Sequence, residues 1–286
     1  MVPPVITGIQ SKGVIANAKH FVNNNQETDR TTQTAVVDER TEFEMYLPAF
    51  ESAVDAGVGS IMCSYNLISN VPGQPGKWSC EHPATLSVDL KQRLNYSGWV
   101  MSDWGATHST SIEAGLDQEM PGADWMGDKL FAAVQGGSIP QSAVDDSVLR
   151  ILTPMFQMGV FDKPNPNKIT ANVTSAAHNA LARKIASAAM VLLKNDGDVL
   201  PIGSGVKKIA VIGQQAQNPT VHGGGSGQVI PYYVSAPLDA IRTRMGIQNP
   251  PLPPSNCSDA KWTTGIDYRN QDSQTSTGSS SPEDCC

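Results

Sequence analysis

Hydrophobic positions recur along this chain at two periods, and the switches between them outline its elements. Residues 13–21, Gly-Val-Ile-Ala-Asn-Ala-Lys-His-Phe, are small or apolar until Lys19 and His20 arrive together, which predicts a buried strand with two polar groups at its end. The Asn- and Thr-rich stretch from Asn23 to Arg40 reads as loop. Between Arg40 and Ala56, residues Phe43, Leu47, Phe50 and Val54 are spaced by 4, 3 and 4, a helical stripe stopped by Gly57. Val58 to Tyr65 reads as the next strand and, after a long loop, Leu86 to Leu94 as a helix. Gly98-Trp99-Val100-Met101 then forms a strand that runs into Ser102, Asp103, Trp104 and Gly105. Residues 106–114 read as a short helix, Gly115–Gly122 as a further strand with its exit, and Lys129–Gln135 as a helix closed by Gly136-Gly137. A last helix starts at Ser142 and carries Val144, Val148, Ile151, Leu152, Met155 and Phe156 on one face.

Strand and helix thus alternate four times, with polar residues collected at the strand ends. This is the pattern of a parallel α/β array, in which helical crossovers return each strand in the same direction. Four such units make half of a closed barrel. Residues 1–161 therefore read as one partial domain and 162–172, with Pro164 and Pro166, as a linker. In 173–249 a second α/β domain begins: Ala177, Leu181, Ile185, Ala188 and Leu192 mark the buried stripe of a long helix, and Lys207–Gly213 reads as a short buried strand. From 250 to 286 the hydrophobic pattern is lost and a disordered tail is expected.

A net charge of −7, from 20 basic and 27 acidic residues without a basic patch, argues against nucleic acid as a partner. No apolar run approaches the roughly 20 residues of a membrane span, and Met1-Val2-Pro3-Pro4 lacks the features of a signal peptide. Asn95-Tyr96-Ser97, Asn172-Val173-Thr174 and Asn256-Cys257-Ser258 fit the acceptor for N-linked sugar. Cys63 and Cys80 flank a Gly-, Pro- and Asn-rich loop, and read either as a disulfide closing it or as free buried thiols. Sequons and cysteines together suggest a secreted parent whose N-terminus precedes this chain.

Candidate chemistry centres on Asp103. A carboxylate at the end of a stiff strand is placed to meet a ligand; the same residue also reads as a turn former or as the cap of a helix starting at Ala106. Trp104, Met62 and Tyr65 serve either as core or as an apolar platform beside a sugar ring. The five histidines show no metal-binding spacing. The run His222-Gly-Gly-Gly-Ser226-Gly227 lacks the Lys-Ser/Thr ending of a nucleotide loop, which leaves a nucleotide-binding sandwich as a distant reading. It reads as a surface turn or as a loop bringing Ser226 to a ligand.

Several of these segments together resemble glycoside hydrolase family 3, on its β-glucosidase side. They are Lys19-His20-Phe21 with Asn24 and Gln26-Glu27, Met62-Cys63-Ser64-Tyr65-Asn66, Met101-Ser102-Asp103-Trp104, and Val191-Leu192-Leu193-Lys194-Asn195 with Leu200-Pro201. Gly225-Ser226-Gly227 with Pro231-Tyr232 is similar to that family's substrate-facing loop, so that the agreement spans roughly residues 8–236. The resemblance implies an α/β protein: the C-terminal half of a (β/α)8-type, TIM-like barrel followed by the beginning of a three-layer α/β/α sandwich. It implies Asp103 as nucleophile, with Lys19, His20, Met62, Tyr65, Trp104 and Ser226 as contacts to the first sugar, and no cofactor or metal. The expected ligands are small β-glucosides or oligosaccharides, hydrolysed from the non-reducing end with retention.

Two departures matter. The family's earlier barrel strands, with an Asp and an Arg that hold sugar hydroxyls, would precede Met1, and its general acid/base carboxylate has no counterpart, since Glu283 matches nothing. Weak or absent hydrolysis by the 286-residue chain is therefore expected. A β-xylosidase of the same family, and a non-catalytic carbohydrate-binding or degenerate fragment, stay open as alternatives.

Overall fold

The computed structural model describes residues 1–163, 171–221, 223–228, 231 and 233–248. The expected tail from 250, most of the linker, the Asn256 sequon, His222 and Tyr232 lie outside the described residues. The chain forms two compact units, Met1–Asn167 and Lys168–Cys286.

In the first unit three strands, β1 (Asn17–Phe21), β3 (Ser60–Cys63) and β6 (Trp99–Met101), form a parallel sheet in the order β1-β3-β6. Each crossover carries helix, as parallel pairing requires. Between β1 and β3 runs a helical stretch of Glu39–Thr41, a π-turn over Glu42–Tyr46, and Leu47–Asp55. Asp38 caps its start by accepting from the Thr41 N–H at 3.0 Å. Gly57, at φ 75°, supplies the left-handed residue after its end. Between β3 and β6 the π-helical segment Ala84–Arg93 buries Leu86 and Leu90. The core gathers where these helices meet the sheet, around Phe21, Leu47, Ile61, Leu86, Val100 and Leu116. Gly98 is required just before β6, because a Cβ there would strike the Gly59 carbonyl oxygen and the Tyr96 hydroxyl.

The polar pattern concealed a second sheet. β2 (Thr34–Val36), β4 (Leu67–Ser69) and β5 (Lys77–Trp78) pair in the order β2-β4-β5, parallel then antiparallel. They come from the segments after β1 and β3 that composition marked as loop; strands this short show no clear alternation. Three further expectations are corrected. Residues 106–114 contain only a 3-10 turn, Ser111–Ala114, so Asp103 caps no helix at Ala106. Gly115–Gly122 contributes one parallel bridge, Gln118 to Met101, rather than a strand. The helix Gln141–Gln157 buries Ser147 and Pro154, leaving Val148 45% and Phe156 66% exposed. Its inward face is chosen by polar contacts that apolar spacing does not report: Ser147 donates to Asp117, and Arg150 donates to the Tyr96 carbonyl at 2.8 Å.

In the second unit a helix forms over Ala176–Ala189, with Ser175 accepting from the His178 N–H at its start, but it stops before Leu192, the last residue of the expected stripe. Its apolar stripe is not covered by the described residues: Leu181 is 55% and Ile185 60% exposed. Lys207–Gly213 is not a strand, and no described residue of this unit is in one. A short apolar run becomes a strand only when a neighbour completes its ladder of hydrogen bonds.

Candidate active site

Asp103 follows β6 by two residues, and the residue before it is held by two hydrogen bonds. The Ser102 N–H donates to the Gln118 carbonyl at 2.9 Å, and the Ser102 hydroxyl accepts from the Met120 N–H at 2.8 Å. Farther back on the strand, the Val100 N–H donates to the Asp117 carboxylate at 2.8 Å. That carboxylate also accepts from Lys91 at 2.7 Å and from Ser147 at 3.0 Å, in a site where the Asp117 side chain is fully buried. Burial pushes the Asp117 carboxyl up and the Lys91 ammonium down, and each partner opposes the other's shift.

The Asp103 side chain is 13% exposed and meets two groups from the ends of the other two strands of the sheet. His20 Nε2 lies 3.0 Å from Oδ2. A carboxylate only accepts, so this nitrogen carries the proton. Tyr65 Oη lies 3.1 Å from Oδ1 and 3.0 Å from the Trp104 carbonyl oxygen, its single proton shared between two acceptors. Trp104, at φ 21°, and Gly105, at φ 80°, turn the chain directly after the carboxylate. Across the sheet Lys19, Met62 and Met101 occupy one row of the register, with Lys19 exposed and Met62 buried.

Of the residues singled out by sequence, the fold brings Asp103, His20, Tyr65 and Trp104 into contact and sets Lys19 and Met62 on adjacent strands beside them. Ser226 lies in the second unit, exposed in the 3-10 turn Gly225–Gly227. Cys63 and Cys80 are joined in a disulfide, tying the end of β3 to the turn Ser79–Glu81.

Other groups around the site escaped sequence reasoning. The Arg30 guanidinium sits 4.5 Å from the centre of the Tyr65 ring and pairs with Glu27 at 2.8 Å, a geometry that orients the phenol whose hydroxyl reaches Asp103. Behind His20, the backbone of Phe21 and Val22 is held by buried side chains. Ser79 donates to the Phe21 carbonyl at 2.7 Å, and Ser64 and Asn66 donate to the Val22 carbonyl at 3.1 and 3.2 Å. The signal for Ser64 and Asn66 was their place on either side of Tyr65; nothing local marked Arg30.

Comparison with known proteins places the chain among glycoside hydrolases. Residues 1–154 match the glycosyl hydrolase family 3 N terminal domain and residues 190–285 the C-terminal domain of the same family. The chain is 40% identical over 274 residues to a probable β-glucosidase L of Emericella nidulans, covering 84% of this chain and 36% of that protein. It is 42% identical over 250 residues to a β-glucosidase of Rhizobium radiobacter, covering 85% and 30%. Among solved structures, DesR, a β-glucosidase from Streptomyces venezuelae in complex with D-glucose, superposes with a TM-score of 0.76 at 40% identity over 85% of this chain and 32% of that one. The β-glucosidase D2-BGL from Chaetomella raphigera gives 0.76 at 36% identity over 86% and 38%. The chain therefore spans only about a third of the length of these relatives. With its family's N-terminal match covering more than half of the sequence, the chain belongs to glycosyl hydrolase family 3.

Proposed function

We propose that this chain is part of a retaining, exo-acting β-glucosidase in which Asp103 is the nucleophile. The observation that carries the reading is a carboxylate at the end of a braced strand, partly open to solvent and contacted by His20 and Tyr65. Retention needs two carboxyl groups about 5–5.5 Å apart, one ionised to attack and one protonated to assist departure. In this reading Asp103 attacks the anomeric carbon, the bond to the aglycone oxygen breaks, and that oxygen takes the proton of the second carboxylic acid. Water activated by the same group then releases the sugar from Asp103. His20 and Tyr65 hold the carboxylate in its attacking orientation. With them, Lys19, Met62, Trp104 and Ser226 are the proposed contacts to the sugar in the first subsite, Trp104 also excluding water.

None of the residues assigned here supplies the second carboxylate, so the 286-residue chain should turn over an aryl β-glucoside weakly or not at all. The wider architecture in this reading is a partial TIM-like barrel over residues 1–161, a linker at 162–172, and the start of a three-layer sandwich over 173–249. Secretion of the parent is supported by the Cys63–Cys80 disulfide, which persists in oxidising compartments.

The test is covalent trapping with an activated aryl glucoside fluorinated beside the anomeric carbon, whose leaving group needs no acid. A sugar adduct on the peptide bearing Asp103, lost in Asp103→Asn, is expected. An adduct on another side chain removes the nucleophile assignment, and glucose binding without any adduct favours the non-catalytic carbohydrate-binding alternative.

A further inference from the structure

Apart from the Asp103 cluster, the first unit contains an open cavity of about 460 Å3, within the range of about 300–1,000 Å3 usual for small-molecule sites. One wall comes from the segment after β3, with Lys77, Trp78 and Glu81; the other comes from the segment after β6, with Thr110, Ser111 and Ala114. The walls are tied together by His108. Its ring stacks on the Trp78 indole with centroids 4.1 Å apart, and its backbone N–H donates to Glu81 Oε1 at 2.8 Å.

The chemistry left over narrows the ligand. Among the described residues, Glu81 Oε2, the Lys77 ammonium, the Thr110 hydroxyl and the Trp78 indole N–H have no hydrogen-bond partner. The residues that carry these acceptor and donor groups line the same cavity as Trp78, while Ala114 is its one aliphatic side chain. A lipid-like ligand would leave these polar groups desolvated and unpaired. An ion of either sign would meet one charge of its own sign, Lys77 or Glu81. A neutral polyhydroxylated ring satisfies all of them: its hydroxyls both donate and accept, and its C–H face packs on an aromatic surface.

We propose that this cavity, whose lining includes none of Asp103, His20, Tyr65 and Trp104, is a second saccharide site able to hold a neutral glucose-containing oligosaccharide. The choice of glucose units rests on the β-glucosidase reading; the existence of the site does not.

Cellobiose titrated into the 286-residue chain, followed by saturation-transfer NMR and calorimetry, tests it. Thr110→Val keeps the side-chain shape, and Glu81→Gln keeps an acceptor for the His108 N–H, so both variants should fold. Each is expected to weaken cellobiose binding by about 3–10-fold, the scale of one lost hydrogen bond, while the rate of Asp103 trapping is unchanged. His20→Ala, which removes the His20 contact to Asp103, is expected to leave this binding in place. Binding that disappears in His20→Ala but survives both cavity variants, or no cellobiose binding to the unaltered chain, overturns the proposal. Failure to trap Asp103 with cavity binding intact overturns the nucleophile assignment alone.

Discussion

Glu42 is a carboxylic acid only 6% exposed, on the helical face packed toward the strand end that carries His20. Its Oε2 accepts from the Asn23 amide at 2.7 Å, whereas Oε1 and Asn23 Oδ1 are both acceptors without a donor among the described residues. A proton on Glu42 would supply the missing donor. Burial raises its pKa, the Asn23 bond opposes this, and the Asp89 charge adds to the rise; Arg93 offsets Asp89 through an ion pair at 3.2 Å. The folded state therefore binds more protons than the unfolded chain between the ordinary glutamate value and the higher folded one. Stability falls as pH rises through that window, and the loss is complete above it. Glu42→Gln should remove this slope and stabilise the protein near neutral pH by about 1 kcal/mol, the scale of one relieved buried polar group; urea unfolding at several pH values measures both. Tyr65→Phe removes a donor to the Asp103 carboxylate. It should slow trapping of Asp103 by about 10–100-fold, the range for a hydrogen bond to a charged group, and an unchanged trapping rate would leave that contact without a role. Lys19, His20 and Asp103 were legible because a polar side chain closing an apolar run is conspicuous. Arg30 was not, since its meaning lies in a ring 35 positions away in sequence.

β6 carries the site, and only three residues of it are in the ladder. Its position comes from the Asp117 carboxylate, which holds Val100 while neutralising Lys91 and engaging Ser147 on the helix Gln141–Gln157. Asp117→Asn leaves a buried ammonium without its counterion and should cost about 3–5 kcal/mol in denaturant unfolding. A change below 1 kcal/mol would mean that Lys91 finds water or another partner. The disulfide acts on the neighbouring strand: it closes a 17-residue separation between β3 and the turn that carries Ser79. Replacing Cys63 and Cys80 together by Ala should cost about 3 kcal/mol through loop entropy, read from the urea midpoint. Strands β3 and β6 and the helices beside them could be read from the apolar pattern, because both strands are buried along most of their length. The expected buried strand over 13–21 is strand only from Asn17, with Phe21 its one buried residue and Val14 left exposed. The small sheet β2-β4-β5 could not be read, and the inward face of Gln141–Gln157 was misread because Ser147 and Arg150 turn it.

At the scale of the molecule, the two units differ in how much they bury. Every buried hydrophobic residue among those described lies between Ile6 and Ile139, except Ala236. Protection from local opening follows buried apolar contact. Brief protease treatment should therefore leave a resistant product containing Met1–Asp162, with early cuts after position 171. Mass spectrometry of the digest checks this, and first cuts within β1, β3 or β6 would contradict it.

The sequence by itself determined the alternating α/β order and the strand ends at which Lys19, His20 and Asp103 appear, because burial of a strand or a helix face imposes its period on the residues that build it. The tertiary structure alone decided which groups meet: His20 and Tyr65 on Asp103, Arg30 on Tyr65, Lys91 on Asp117, and Cys63 with Cys80. It also decided that Lys207–Gly213 forms no strand. These outcomes depend on partners distant in sequence, and a local pattern records the demand for a partner without naming it.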